Sequence, residues 1–209
     1  TGNMRTVFTL GRYGMLENAI YTKWGMIDDN KFPDEKPVCG LDFGFINPNC
    51  LLKIVVDMDK KEIYIHELIY KRHQITPDLS QEMDQLGLND YKIIADSEAP
   101  EKIEEIRRDG FPYIEGAKKG KGSVLAGIDF VQQFRIFITK SSVNVKKEIE
   151  TYQRRKDKDG NVLEVPEEGF DHAMACIRYV MYTIYYILEP ETPIEGKAAG
   201  RRETADQDW

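Results

Sequence analysis

Apolar positions follow a strand-like rhythm in the first half of the chain and a helical one in much of the second. Val38 to Phe45, Leu51 to Asp57 and Glu62 to Tyr70 are apolar or alternating runs rich in β-branched and aromatic residues. The short polar breaks INPN and DMDKK suit hairpins, so these runs read as three antiparallel strands. Thr76-Pro77 starts a helix, with Thr as cap and Pro at the first helical position, and Gly87 stops it. Tyr91 to Ala95 reads as a short buried strand. Pro100 to Arg108 reads as a helix stopped by Gly110, and Phe111 to Ile114 as a strand. Val124 to Phe134 is predicted helical behind a Ser123 cap, and Ile136 to Thr139 extended. Glu148 to Val165 reads as a hairpin turning at Lys158-Asp159-Gly160-Asn161. Asp171 to Leu188 is a long helix with Met174, Ile177, Met181, Ile184 and Leu188 on one face. A strand meander followed by alternating helices and strands predicts a mixed α/β layer fold.

The ends lack such periodicity. Residues 1–36 read as a linker or extension, residues 37–188 as the folded domain, and residues 189–209, rich in Pro, Gly and charge, as a disordered tail. At 209 residues with 31% charged and 41% hydrophobic residues, the chain fits one soluble globular domain. No apolar run reaches the roughly 20 residues of a membrane span. The three cysteines form no CxxC, which argues for a reducing compartment and against structural zinc. A chain opening on Thr1 without Met suggests an excised fragment.

Charge sharpens the picture. The net charge of -7 argues against nucleic acid, but it is unevenly spread. Lys118 to Lys158 holds eleven basic and four acidic residues, a local +7 that leaves -14 elsewhere. That density suits a phosphate-backbone footprint as well as a solvated face. Within it, Lys119 and Lys121 lie in the loop GAKKGKGS, and Arg154, Arg155, Lys156 and Lys158 flank the predicted hairpin turn. The loop fails the spacing of an ATP-binding phosphate loop, so contact with DNA phosphates is the better reading of its lysines.

Acids that end apolar strands are the chemical candidates. Asp42 sits within CGLDFG and Asp96 ends KIIAD. A buried carboxylate needs a partner or a metal, and hard oxygen ligands select Mg²⁺ or Mn²⁺. For either acid alone a satisfied turn or cap is the commoner reading, whereas two acids at adjacent strand positions in one sheet are more specific. Asp171 and His172 open the last helix, Asp171 as a cap or ligand and His172 as a base, ligand or surface residue. Ala175 lies one turn beyond Asp171.

CGLDFGFINPNCLL, IIADSEAPEKIEEIRRDGF, KKGKGSVLAGIDFVQQFRIFITKSS and FDHAMACIRYVMYT together resemble the C-terminal, RNase H-like nuclease domain of tailed-phage terminase large subunits. The resemblance spans about residues 37–183 and implies an RNase H-like mixed sheet flanked by helices, with an extra basic hairpin. It implies a two-metal endonuclease, using Mg²⁺ or Mn²⁺, that cuts concatemeric viral DNA when packaging starts and ends. Asp42 and Asp96 match the first two acids of that pattern. The third falls at position 175, where this chain has Ala175, so the resemblance also implies an inactivated Asp-to-Ala variant unless Asp171 substitutes. Implied partners are double-stranded DNA, an N-terminal packaging ATPase domain absent from this chain, a portal and a small terminase subunit. The implied location is the host cytoplasm, outside the mature virion. A resolvase-like nuclease of the same fold and a non-catalytic DNA-binding or portal-docking module are the competing readings.

Overall fold

The computed structural model describes residues 18–167 and 169–186. The predicted tail (189–209) and residues 1–17 of the predicted extension lie outside them. The three meander strands are present as β2 (Val38–Asp42), β3 (Asn49–Asp57) and β4 (Glu62–Lys71), paired antiparallel in sequence order. β5 (Ile93–Ala95) pairs parallel with β2, β6 (Ile114–Gly116) with β5, and β7 (Arg135–Thr139) with β4. β1 (Trp24–Ile27) adds parallel to β7, giving the order β1-β7-β4-β3-β2-β5-β6. Every strand but β3 therefore points the same way, and six carboxyl ends meet at one edge of the sheet.

Helices cover both faces. α1 (Thr76–Gln85) and α2 (Pro100–Arg108) bury Leu79, Met83, Ile103 and Ile106 against Cys39, Leu41, Leu51, Ile93 and Ala95. On the other face, α3 (Ser123–Val131), α4 (Val143–Thr151) and α5 (His172–Val180) pack on Cys50, Leu52, Ile54, Ile63, Ile65 and Ile94. α5 runs on as a π-helical segment, Met181–Tyr186. The odd and even residues of β3 divide between the two cores, as a period of two demands. β4 changes sides midway: its register slips between Leu51 and Leu52 of β3, so Ile69 joins the core opposite to Ile63 and Ile65. The same slip turns Tyr70 toward α4 and α5.

Several elements differ from the sequence reading. Residues within the predicted extension supply β1, and Ile20 and Tyr21 are core residues. Residues 143–151, partly assigned to a hairpin arm, form α4, because Val145, Glu148 and Ile149 bury one face at helical spacing. The hairpin is the shorter β8 (Arg154–Lys156) and β9 (Val162–Pro166), a separate ribbon. Thr76 is the first helical residue of α1, behind Ile75, and Gly122, not Ser123, holds the cap position of α3.

Candidate active site

Strand alternation decides where the predicted acids point. Leu41 and Ala95 face α1 and α2, so Asp42 and Asp96, each one residue further on, turn to the face covered by α5. The Asp96 amide donates to the Leu41 carbonyl at 2.9 Å, which carries the β2–β5 ladder one step past the paired residues. The two carboxylates thus stand side by side where two parallel strands end, at the edge that open α/β sheets use for ligands.

α5 lies close over them. A Cβ at Gly40 would come within 2.7 Å of the Cys176 carbonyl oxygen, so only glycine permits this approach of helix to strand. The helix start is fixed by Glu148, whose carboxylate accepts the Ala173 amide at 2.7 Å, the Met174 amide at 3.3 Å and the Tyr70 hydroxyl at 2.6 Å. A negative group at a helix N-terminus satisfies orphan amides and the helix dipole. Burial still pushes the Glu148 carboxyl above its ordinary range, against those hydrogen bonds.

His172, Ala175 and Tyr179 are three and four residues apart, so they share the face of α5 that meets the acids. His172 Nδ1 lies 2.8 Å from Asp42 Oδ2, and the Tyr179 hydroxyl donates to Asp42 Oδ1 at 3.3 Å. Ala175 lies between these two contacts, buried at 6% exposure. Hydrogen bonding to Asp42 holds the His172 imidazole above its ordinary pKa. Its Nε2 is buried and has no hydrogen-bond partner among the described residues.

Lys119 completes the ring from the loop after β6. Its ammonium donates to Asp96 Oδ1 at 2.5 Å and Glu98 Oε1 at 2.9 Å, and lies 5.2 Å from the centre of the Tyr179 ring. Partial burial works against the Lys119 charge, but the two carboxylates outweigh it and hold the ammonium above its ordinary pKa. Asp42, His172, Tyr179, Lys119 and Asp96 therefore form one connected constellation. Asp171 holds the cap position of α5, where its carbonyl accepts the Ala175 amide at 2.7 Å and its side chain makes no capping bond. Burial raises the Asp171 carboxyl, opposed by the charges of Arg178 and His172. Lys121, Lys156 and Lys158 are exposed, whereas Arg154 is ion-paired to Glu164 across the ribbon.

A family model described as the terminase RNAseH like domain matches residues 42–185. The chain belongs to this family. It is 32% identical over 150 residues to the PBSX phage terminase large subunit of Bacillus subtilis (strain 168), covering 70% of this chain and 34% of that protein. It is 31% identical over 148 residues to the terminase large subunit of Bacillus phage SPP1, covering 67% of this chain and 34% of that protein. The chain thus spans about a third of the length of these relatives. The SPP1 large-terminase nuclease domain, solved with bound Mn, shares its fold at a TM-score of 0.68 and 24% identity, over 77% of this chain and 96% of that one. The terminase RNase H-like fold expected from the sequence is the fold observed.

The donor set of this terminase domain fits a divalent ion only in part. Asp42 and Asp96 are hard donors at adjacent strand ends, whereas His172 meets Asp42 through Nδ1, so its unpartnered Nε2 points away from that carboxylate. Among the described residues no group of three or more His, Cys, Asp or Glu side chains is placed to hold an ion. Ala175, with no ligating atom, stands on the same helix face as His172 and Tyr179, which both contact Asp42. Sequence reasoning missed Glu148 and Tyr179. The buried helical spacing of Val145, Glu148 and Ile149 was the available signal for the first, and the three-four spacing from His172 for the second.

Proposed function

We propose that this chain is the metal-dependent endonuclease domain of a phage packaging terminase, with its activity impaired by alanine at position 175. The observation that carries the reading is the convergence of Asp42 and Asp96 at adjacent strand ends beneath the His172–Ala175–Tyr179 face of α5. Asp42 and Asp96 would hold Mg²⁺ or Mn²⁺, with Asp171 as the supplementary donor. Bound divalent ions supply a water nucleophile at neutral pH and neutralise charge on the leaving oxygen of a phosphodiester. The SPP1 nuclease domain with bound Mn supports this choice of metal.

The protein's own groups set the rest. Asp42 orients the His172 ring through Nδ1, which leaves Nε2 to take a proton or a ligand bond. Lys119 balances Asp96 and is placed to meet a backbone phosphate beside it. Lys121 and the ribbon residues Arg154, Arg155, Lys156 and Lys158 would add further phosphate contacts. The partners would be double-stranded DNA, the packaging ATPase domain, a portal and a small terminase subunit, in the host cytoplasm.

Plasmid cleavage with Mn²⁺ tests the reading. The chain as it stands should cut weakly or not at all, Ala175→Asp should cut, and Asp171→Ala in that background should retain cutting if Asp171 is only a cap. Efficient cutting by the unaltered chain would overturn the impairment. Loss of both Mn²⁺ binding and cutting in Ala175→Asp would favour a non-catalytic module.

A further inference from the structure

Three loops at the edge that holds Asp42 and Asp96 carry large side chains which belong to neither core. Phe45 and Ile46, in the turn directly after Asp42, are 50% and 78% exposed, and Phe170, directly before Asp171, is 64% exposed. Arg72 and His73 follow the last residue of β4 and join the two: the Phe45 and His73 rings meet edge-on at 5.5 Å, and the Arg72 guanidinium lies 5.9 Å from the Phe170 ring centre. We propose that this cluster is a DNA wedge that inserts at a base step next to the phosphate being cut. The inference rests on the nuclease reading and adds to it a contact made with bases.

The turn is built to hold its tip out in water. A Cβ at Gly44 would come within 2.4 Å of the Asn47 carbonyl, so the turn is tight enough to require glycine. Asn49 accepts the Gly44 amide at 2.8 Å and donates to the Gln74 carbonyl at 3.0 Å, and the His73 amide donates to the Phe45 carbonyl at 2.7 Å. His73 has φ +58°, a left-handed backbone that non-glycine residues adopt at a cost and that here closes the link between the loops. Exposed apolar side chains gain nothing from phosphates. They gain by contact with base faces or by entering a base step, the mode in which apolar side chains kink a duplex. Arg72 beside Phe170 supplies the cation that such a ring needs for the adjoining phosphate, and guanidinium stacks well on rings and bases. The apolar tip follows Asp42 in the chain and the Phe170 ring precedes Asp171, so both stand at the sheet edge that holds the acids.

The experiment uses the full chain, Ca²⁺ in place of Mn²⁺, and duplex DNA carrying 2-aminopurine scanned through the binding site. Binding of the parent should raise 2-aminopurine fluorescence at one or two adjacent positions, because unstacking relieves quenching. Phe45→Ala with Ile46→Ala, and separately Phe170→Ala, should abolish that rise and weaken binding by about 5- to 100-fold, the range for a lost stacking contact. These side chains are exposed, so the variants keep the fold. A parent that binds duplex without any rise, or variants that keep both rise and affinity, would overturn the wedge and leave the nuclease reading standing. In that case the cluster would fall to a protein partner. A parent that binds no DNA under these conditions would overturn both.

Discussion

His172 Nδ1 and Asp42 Oδ2 lie 2.8 Å apart, a contact that joins the first turn of α5 to the end of β2. It orients the imidazole so that the buried Nε2 is directed away from Asp42. In Ala175→Asp, His172→Ala should lower Mn²⁺ affinity by about 10- to 100-fold, the usual effect of losing a ligand or its orienting partner. Calorimetric titration measures this. An unchanged affinity, with an intact fold by circular dichroism, would make the histidine purely structural.

Close packing at Gly40 predicts a stability effect at a distance from any chemistry. Gly40→Ala drives a methyl against the Cys176 carbonyl at 2.7 Å and should cost about 1–3 kcal/mol in denaturant unfolding. Gly120→Ala meets nothing within 4 Å and serves as the control, expected within about 0.5 kcal/mol of the parent.

Glu148 is 3% exposed and satisfies two amides of α5 and a tyrosine hydroxyl. Glu148→Ala should cost about 2–4 kcal/mol, since it leaves two buried amides and the part-buried Tyr70 hydroxyl unpaired. Glu148→Gln keeps an acceptor of the same shape and should recover most of the loss. Equal losses for the two variants would assign the effect to charge at the helix end.

Acid should weaken the fold through His66. Burial lowers its pKa below the ordinary 6.5, against the pull of Asp29, and its Nδ1 pairs with Thr139 Oγ1 at 2.9 Å. The folded form therefore binds fewer protons than the unfolded chain below pH 6.5, so this residue's contribution falls as pH drops through that value toward its folded pKa. His172 acts in the opposite sense, because its folded pKa is raised: its contribution is full at low pH and lost as pH rises. Unfolding followed across this range in His66→Gln should show less loss of stability on acidification than the parent. A parallel pH profile would refute the assignment.

Asp42 and Asp96 were legible in the sequence because one interrupts an apolar run and the other ends one, where an acid is expensive unless it has a task. The meander and α2 were legible for the same reason, since their patterns are local. β1 was not: four residues on a sheet edge owe their conformation to pairing with β7, over 100 residues away in the chain. α4 was partly misread because its last residues, Glu148 to Thr151, run straight into the hairpin, and packing on α5 and β4 is what keeps them helical. Lys119 was read as a phosphate contact. Its ion pair with Asp96 depends on how the loop after β6 folds back over β5, which no spacing reveals.

The reversed strand β3 gives the domain two poles. Its carboxyl end and the turn Met58–Lys61 lie at the edge opposite the acids, where Lys60 pairs with Asp57 in solvent. Asp42, Asp96 and the first turn of α5 lie at the other edge. An insertion or fused domain there would alter the attachment of the molecule to its surroundings and leave its chemistry in place, so the fold separates mounting from cutting.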